Sequence, residues 1–167
     1  MFQKDGNSQT EIDILKRLNL LYWKIVSICI ENKWFSKDDV IYFSFTCLEN
    51  NIADTDYRVS LIASGNHYKN DIDIQEVVSQ LASNESISDL IAEEIWILAR
   101  LIAVKESKES NEIRFNELQD IIMSAREYPE ILRSCDQYHI TNIKPFDAMD
   151  NAIKSLSSKL FCFIRTE

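Results

Sequence analysis

Apolar side chains recur along this chain at three- and four-residue intervals, the spacing that winds into amphipathic helices. Leu15, Leu18, Tyr22, Ile25, Val26 and Cys29 keep that period, and Ile14, Leu21 and Ile28 widen the stripe. One long helix is therefore predicted from about Gln9 to Lys33, broad enough on its apolar side to touch more than one neighbour. Ser8 and Glu11 stand at capping-box spacing before it, as do Ser36 and Asp39 before a second helix over Lys37–Glu49. Val40, Phe43 and Cys47 form the second helix's stripe, with Ile41 and Leu48 beside it. Asp38 and Asp39 sit in its first turn, where they suit the positive end of the helix dipole.

A turn over Asn50–Asp54 leads to a short helix, about Thr55–Ala63, closed by Gly65-Asn66, two residues that tolerate left-handed backbone. A polar connection over His67–Asp71 precedes a fourth helix, Asp73–Ala82, with Ile74, Val77, Val78 and Leu81 at helical spacing. Ser86 to Asp89 repeats the capping pattern. The run IWILARLIAV then makes the helix over Ile87–Lys108 apolar nearly all round, which places it centrally; Glu93 and Glu94 would mark its exposed side or pair locally. A sixth helix, Ile113–Tyr128, turns Phe115, Leu118, Ile122 and Ala125 inward. Pro129 restarts a short helix to Cys135, and Asp136–Lys144 is irregular. From Pro145, the residues Phe146, Met149, Ile153, Leu156, Leu160 and Phe163 form the cleanest stripe, expected to pack on the central helix.

The fold class that follows is all-α: seven or eight helices in one compact domain over residues 1–167, with 1–7 flexible. Composition agrees. Two glycines and two prolines are too few for the turns of a β-rich fold, and 46% hydrophobic residues supply a core without staples. Cys29, Cys47 and Cys162 fall in apolar stretches, and no pair has CxxC spacing, so the cysteines read as buried small hydrophobes in a reducing compartment. The polar start shows no export signal. The longest apolar stretch, Ile95–Val104, is about half the ~20 residues that a membrane span needs. The expected setting is the cytoplasm.

Charge changes the picture most. Between Lys69 and Arg100 stand seven acids and no Lys or Arg, so this segment carries −7 of the net −9. Such a face either solvates two helices or steers a basic partner. Nucleic acid is disfavoured, because phosphate contacts need clustered positive charge. Asp71, Asp73, Glu76, Glu85 and Asp89 are the expected partner-contact residues.

Signals for chemistry are few. Glu93-Glu94 and Asp38-Asp39 are adjacent carboxylates, but neighbours on a helix point about 100° apart and rarely share one site. Asp136 and His139 have the spacing of half a di-iron motif, yet His67, the other histidine, has no Glu three residues before it. No Gly-rich phosphate loop or nucleophile elbow is present. No catalytic residue, metal or cofactor is assigned, and an enzyme would need an unrecognised pocket. Trp96 reads as core and Trp23 as the half-buried edge of a stripe. Trp34-Phe35 is a staple across the Ser36 cap or, if exposed, a binding anchor.

The order of these signals resembles a bacterial family known as domain of unknown function 2247. The resemblance rests on Trp23 in the first helix, the Ser36–Val40 helix start and the Leu48-Glu49 end. A short acidic helix, Glu94-x-Trp96 opening a long apolar helix, and Tyr128-Pro129-Glu130 complete it, over about residues 15 to 135. It implies a small acidic helical protein without established activity, some of whose kind act as immunity proteins against secreted bacterial toxins. The leading expectation is therefore a protein–protein interaction module that occludes a basic toxin surface. The rival is a helical scaffold that self-associates through its last helix, by way of Phe161, Phe163 and Ile164.

Overall fold

The computed structural model describes residues 7–50, 56–65, 71–125 and 144–164, and of 71, 72 and 162–164 the backbone alone. The chain is all-α: the described residues form eight helices and no strand. They are α1 (Gln9–Leu18), α2 (Trp23–Glu31), α3 (Lys37–Glu49), α4 (Tyr57–Ala63), α5 (Asp71–Ser83), α6 (Asp89–Glu106), α7 (Asn111–Ser124) and α8 (Pro145–Ile164). The features expected at residues 1–6, 51–55, 66–70 and 126–143 fall outside the described residues. Among them are His67, the Tyr128-Pro129-Glu130 step, Cys135, Asp136 and His139. The chain divides into two compact units, residues 1–92 and 93–167, and the division falls within α6.

In the first unit, the helix predicted over Gln9–Lys33 is two helices. Asn19 adopts left-handed backbone (φ 58°), and the Leu20 and Asn19 N–H groups donate back to Leu15 O and Lys16 O at 2.9 and 3.0 Å. These bonds form a Schellman closure, which Asn tolerates better than most residues. The apolar stripe runs straight through the break because Leu20 and Leu21 are buried within it. Periodicity alone therefore could not reveal the interruption.

The same closure recurs at the end of α2. Lys33 takes φ 61°, Trp34 N–H donates to Cys29 O at 2.7 Å, and Lys33 N–H donates to Ile30 O. A lysine there lacks the freedom of glycine and holds a strained conformation. Gly65, also left-handed, closes α4 without that cost.

The helix starts divide into local and distant solutions. Ser36 and Asp39 form the predicted capping box of α3. Asp39 does more than close that box. It is buried, its Oδ2 accepts from Ser36 N–H and Oγ at 2.8 and 2.6 Å, and its Oδ1 accepts from Ser8 N–H at 2.9 Å. The predicted box at Ser8 and Glu11 is accordingly absent: Ser8 makes no side-chain cap, and its backbone is tied to α3 instead. Phe35 and Val40, at the staple positions around the Ser36 cap, are both fully buried, while Trp34 is half-buried. Around them α1 packs on α3, α3 on α4 and α2 on α5. Phe43 lies in this core, with the Trp23 ring edge-on at 5.2 Å.

In the second unit, every residue of α6 from 93 to 99 is buried, as its all-round apolarity predicts. Glu93 and Glu94, expected on an exposed side or in local pairs, are buried with the rest. Glu94 is held by the Lys159 ammonium of α8, and Lys105 pairs with Asp150 at 2.8 Å. Position rises along α6 as it falls along α8 across these two pairs, so the helices run antiparallel, and α8 packs on α6 as its stripe predicts. That stripe centres on Met149, Ala152, Leu156 and Leu160; Phe146 and Ile153 sit at its edge. Arg114 of α7 ties the corner, its Nε donating to Val104 O at 2.9 Å and its guanidinium lying 4.6 Å from the Phe146 ring. The start of α6 is later than predicted: Ser88, not Ser86, caps it, accepting from Ile91 N–H at 3.3 Å.

Two stability outcomes follow. Lys33→Gly relieves the left-handed strain and raises stability by about 1 kcal/mol, a melting rise of about 2–4 °C by circular dichroism. Asp39→Ala strands Ser8 N–H and dismantles the α3 cap together, costing about 2–3 kcal/mol in urea unfolding.

Candidate functional site

The acidic segment is sorted by α5. Ile74, Val78, Leu81 and Ala82 are buried along one side of this helix, so Asp73 and Glu76 are turned into solvent. Asp71 is the helix's first residue, and its side chain lies outside the described residues. Glu76 sits beside Gln80, whose Oε1 accepts from Arg58 Nη1 of α4 at 2.8 Å. Arg58 is itself clamped by Asp56, which caps α4, and this guanidinium holds the Asp56 carboxyl below its ordinary range.

Glu85 behaves differently from its neighbours. It lies past the end of α5, and its two oxygens accept from Trp23 N–H at 2.7 Å and Lys24 N–H at 2.8 Å. Those are the first two amides of α2, which has no side-chain cap of its own because Tyr22 occupies the cap position. Glu85 thus caps a helix 61 residues earlier in the chain. A carboxylate on such amides is favoured twice, by charge-assisted hydrogen bonds and by the helix dipole. Burial works against it and wins: the Glu85 carboxyl is raised above its ordinary range, despite the two amides and Lys24 pulling it down. Nearby Cys47 is pushed up to about 12, chiefly by burial and secondarily by the Glu85 charge.

Asp89, at the start of α6, is exposed and pairs with Lys24 at 3.1 Å. The expected contact residues are therefore not placed alike. Asp73, Glu76 and Asp89 face solvent, while Glu85 is occupied inside the fold. Of the other two acids in the segment, Glu93 and Glu94, both are buried. The deficit of lysine and arginine could not distinguish these cases. No signal in the residues marked Glu85, because the helix start at Trp23 that needs an acceptor from elsewhere was itself hidden inside an unbroken apolar stripe.

A groove of about 350 Å³ runs between α2 and α5, unremarked by any motif. Ile30 and Val78 form its apolar floor, with Ser27, Glu31, Lys33, Gln75 and Ser79 around it. Among the described residues, no cluster of three or more His, Cys, Asp or Glu side chains is arranged to hold a metal ion. No described helix is long and apolar enough to cross a membrane.

The raised Glu85 carboxyl has a definite sign in stability. The folded chain binds this proton more tightly than the unfolded chain, so Glu85's contribution is complete below its ordinary value of 4.5 and is lost as pH rises through the higher folded value. Measured by urea unfolding from pH 4.5 to 7.5, wild-type stability minus that of Glu85→Gln falls with rising pH. A difference that grows with pH contradicts this assignment.

No curated protein and no solved structure matches the chain. A family of uncharacterised proteins conserved in bacteria does match, over residues 12–167, a span that extends the resemblance seen in the motifs through α8. With its half-buried Trp23 ring edge-on to Phe43, its capping box at Ser36–Asp39 and its buried Glu94-x-Trp96 helix, the chain belongs to the bacterial DUF2247 family.

Proposed function

We propose that this chain is a protein–protein interaction module that presents the outer face of α5 to a basic partner. The observation behind the reading is the pair Asp73 and Glu76, both exposed on one helix within a stretch of 30 residues that contains no Lys or Arg. Two solvent-facing carboxylates three positions apart lie on the same side of a helix, where their fields add. Asp89 adds a further exposed acid, tempered by Lys24. Within this reading the partner is a toxin domain of a secreted bacterial protein, and the chain acts as its immunity protein by covering a basic surface.

A charge swap tests it. The double variant Asp73→Lys/Glu76→Lys leaves Asp39 and Glu85 in place, so folding is undisturbed. The probe is the variable C-terminal domain of a large secreted protein encoded by the neighbouring upstream gene. Wild type restores growth when co-expressed with that domain. The variant associates about tenfold more slowly at low salt and loses most of its salt dependence. Unchanged association at low salt, or an upstream gene of another kind, defeats the toxin reading.

A second reading has its own observation: Phe161 of α8 is 53% exposed. An aromatic left in water on a long helix suits self-association. Light scattering over a concentration range finds a dimer that Phe161→Asp dissolves if α8 is a subunit contact, and a monomer throughout if it is not.

A further inference from the structure

We propose that the groove between α2 and α5 binds a small zwitterion with an apolar body, an amino acid of the leucine kind, and that Lys33 anchors its carboxylate. The argument starts from where Lys33 stands. Its φ of 61° is a conformation that glycine or asparagine adopts at less cost. A lysine in the last turn of α2 suits the negative end of the helix dipole without that strain, so the dipole does not account for the position. Strained residues gather where ligands are held, and Lys33 lines a cavity.

The groove offers contacts of three kinds. Ile30 and Val78 are buried in its floor and present apolar surface. Ser27 from α2, with Gln75 and Ser79 from α5, brings two hydroxyls and an amide, each able to donate or accept. Glu31 and Lys33, both exposed, set one negative and one positive charge at its rim. Its volume of about 350 Å³ lies at the small end of the range for small-molecule sites.

The opposed charges select the ligand. A simple anion drawn to Lys33 meets the Glu31 carboxylate and the negative end of the α2 dipole, and a simple cation drawn to those meets Lys33. A molecule with both charges satisfies each: its carboxylate pairs with Lys33, its ammonium with Glu31, and its aliphatic side chain lies over Ile30 and Val78. This site is separate from the acidic face offered to a protein partner, since neither Asp73 nor Glu76 lines the groove.

Lys33→Gly gives a clean test, because it removes the ammonium and relieves backbone strain together, so the variant folds. L-Leucine is titrated into the isotope-labelled full chain, and backbone amide shifts are followed by NMR. Saturable shifts appear at Ser27, Ile30, Lys33, Val78 and Ser79 and not in the middle of α3. Binding weakens about fivefold in Lys33→Gly, the worth of one partly exposed ion pair. Isocaproate, which is leucine without the ammonium, and isoamylamine, which is leucine without the carboxylate, each bind about fivefold more weakly than leucine. The absence of saturable shifts at the groove amides overturns the proposal. So does leucine binding that is as tight in Lys33→Gly as in the wild type, or a single-charge analogue that binds as well as leucine.

Discussion

A helix starts with amide donors that its own backbone cannot satisfy, and in this chain two of those starts are resolved by carboxylates from distant sequence. Asp39 accepts from Ser8, just before α1, and Glu85 accepts from Trp23 and Lys24 at the head of α2. Each bond fixes one helix end against another element. The packing of α1 on α3 and of α2 on α5 is thereby set in register as well as in contact. Hydrophobic burial supplies the driving force but is non-directional. The charged caps supply the direction.

The negative charge of the chain is consequently less of a surface property than its total suggests. Asp39, Glu93 and Glu94 are buried, Glu85 is turned inward, and Asp56 is bound to Arg58 in its own turn. What remains in solvent between Asp73 and Asp89 is a smaller and better-defined acidic face. A partner that recognises it reads a few carboxylates on α5 rather than a diffuse field. The buried Glu94 belongs to the second unit, where with Lys159 it helps fix the antiparallel course of α6 and α8. A carboxylate in that position favours one register of the helix pair, because a slipped helix would leave it buried without its ammonium.

The two left-handed residues at helix ends show a different economy. Asn19 and Lys33 occupy equivalent positions in two successive Schellman closures, and together they turn what looks like one helix into two helices and a connection to α3. Asparagine suits its position. Lysine does not, and it lines the groove between α2 and α5.

Much was legible in the residues alone. Helical class, the span of α3, the Ser36–Asp39 box, the packing of α8 on α6 and the burial of the middle of α6 all follow from three-and-four periodicity and local capping chemistry, which act between residues close in sequence. The break at Asn19, the vacant cap at Ser8, the shift of the α6 start to Ser88 and the inward turn of Glu85 did not follow. Each depends on which distant group reaches a helix end. A pattern of apolar positions records which side of a helix is covered, but not what arrives to satisfy its termini. That choice is made by tertiary packing, because a carboxylate 61 residues away becomes a cap only when the fold carries it there.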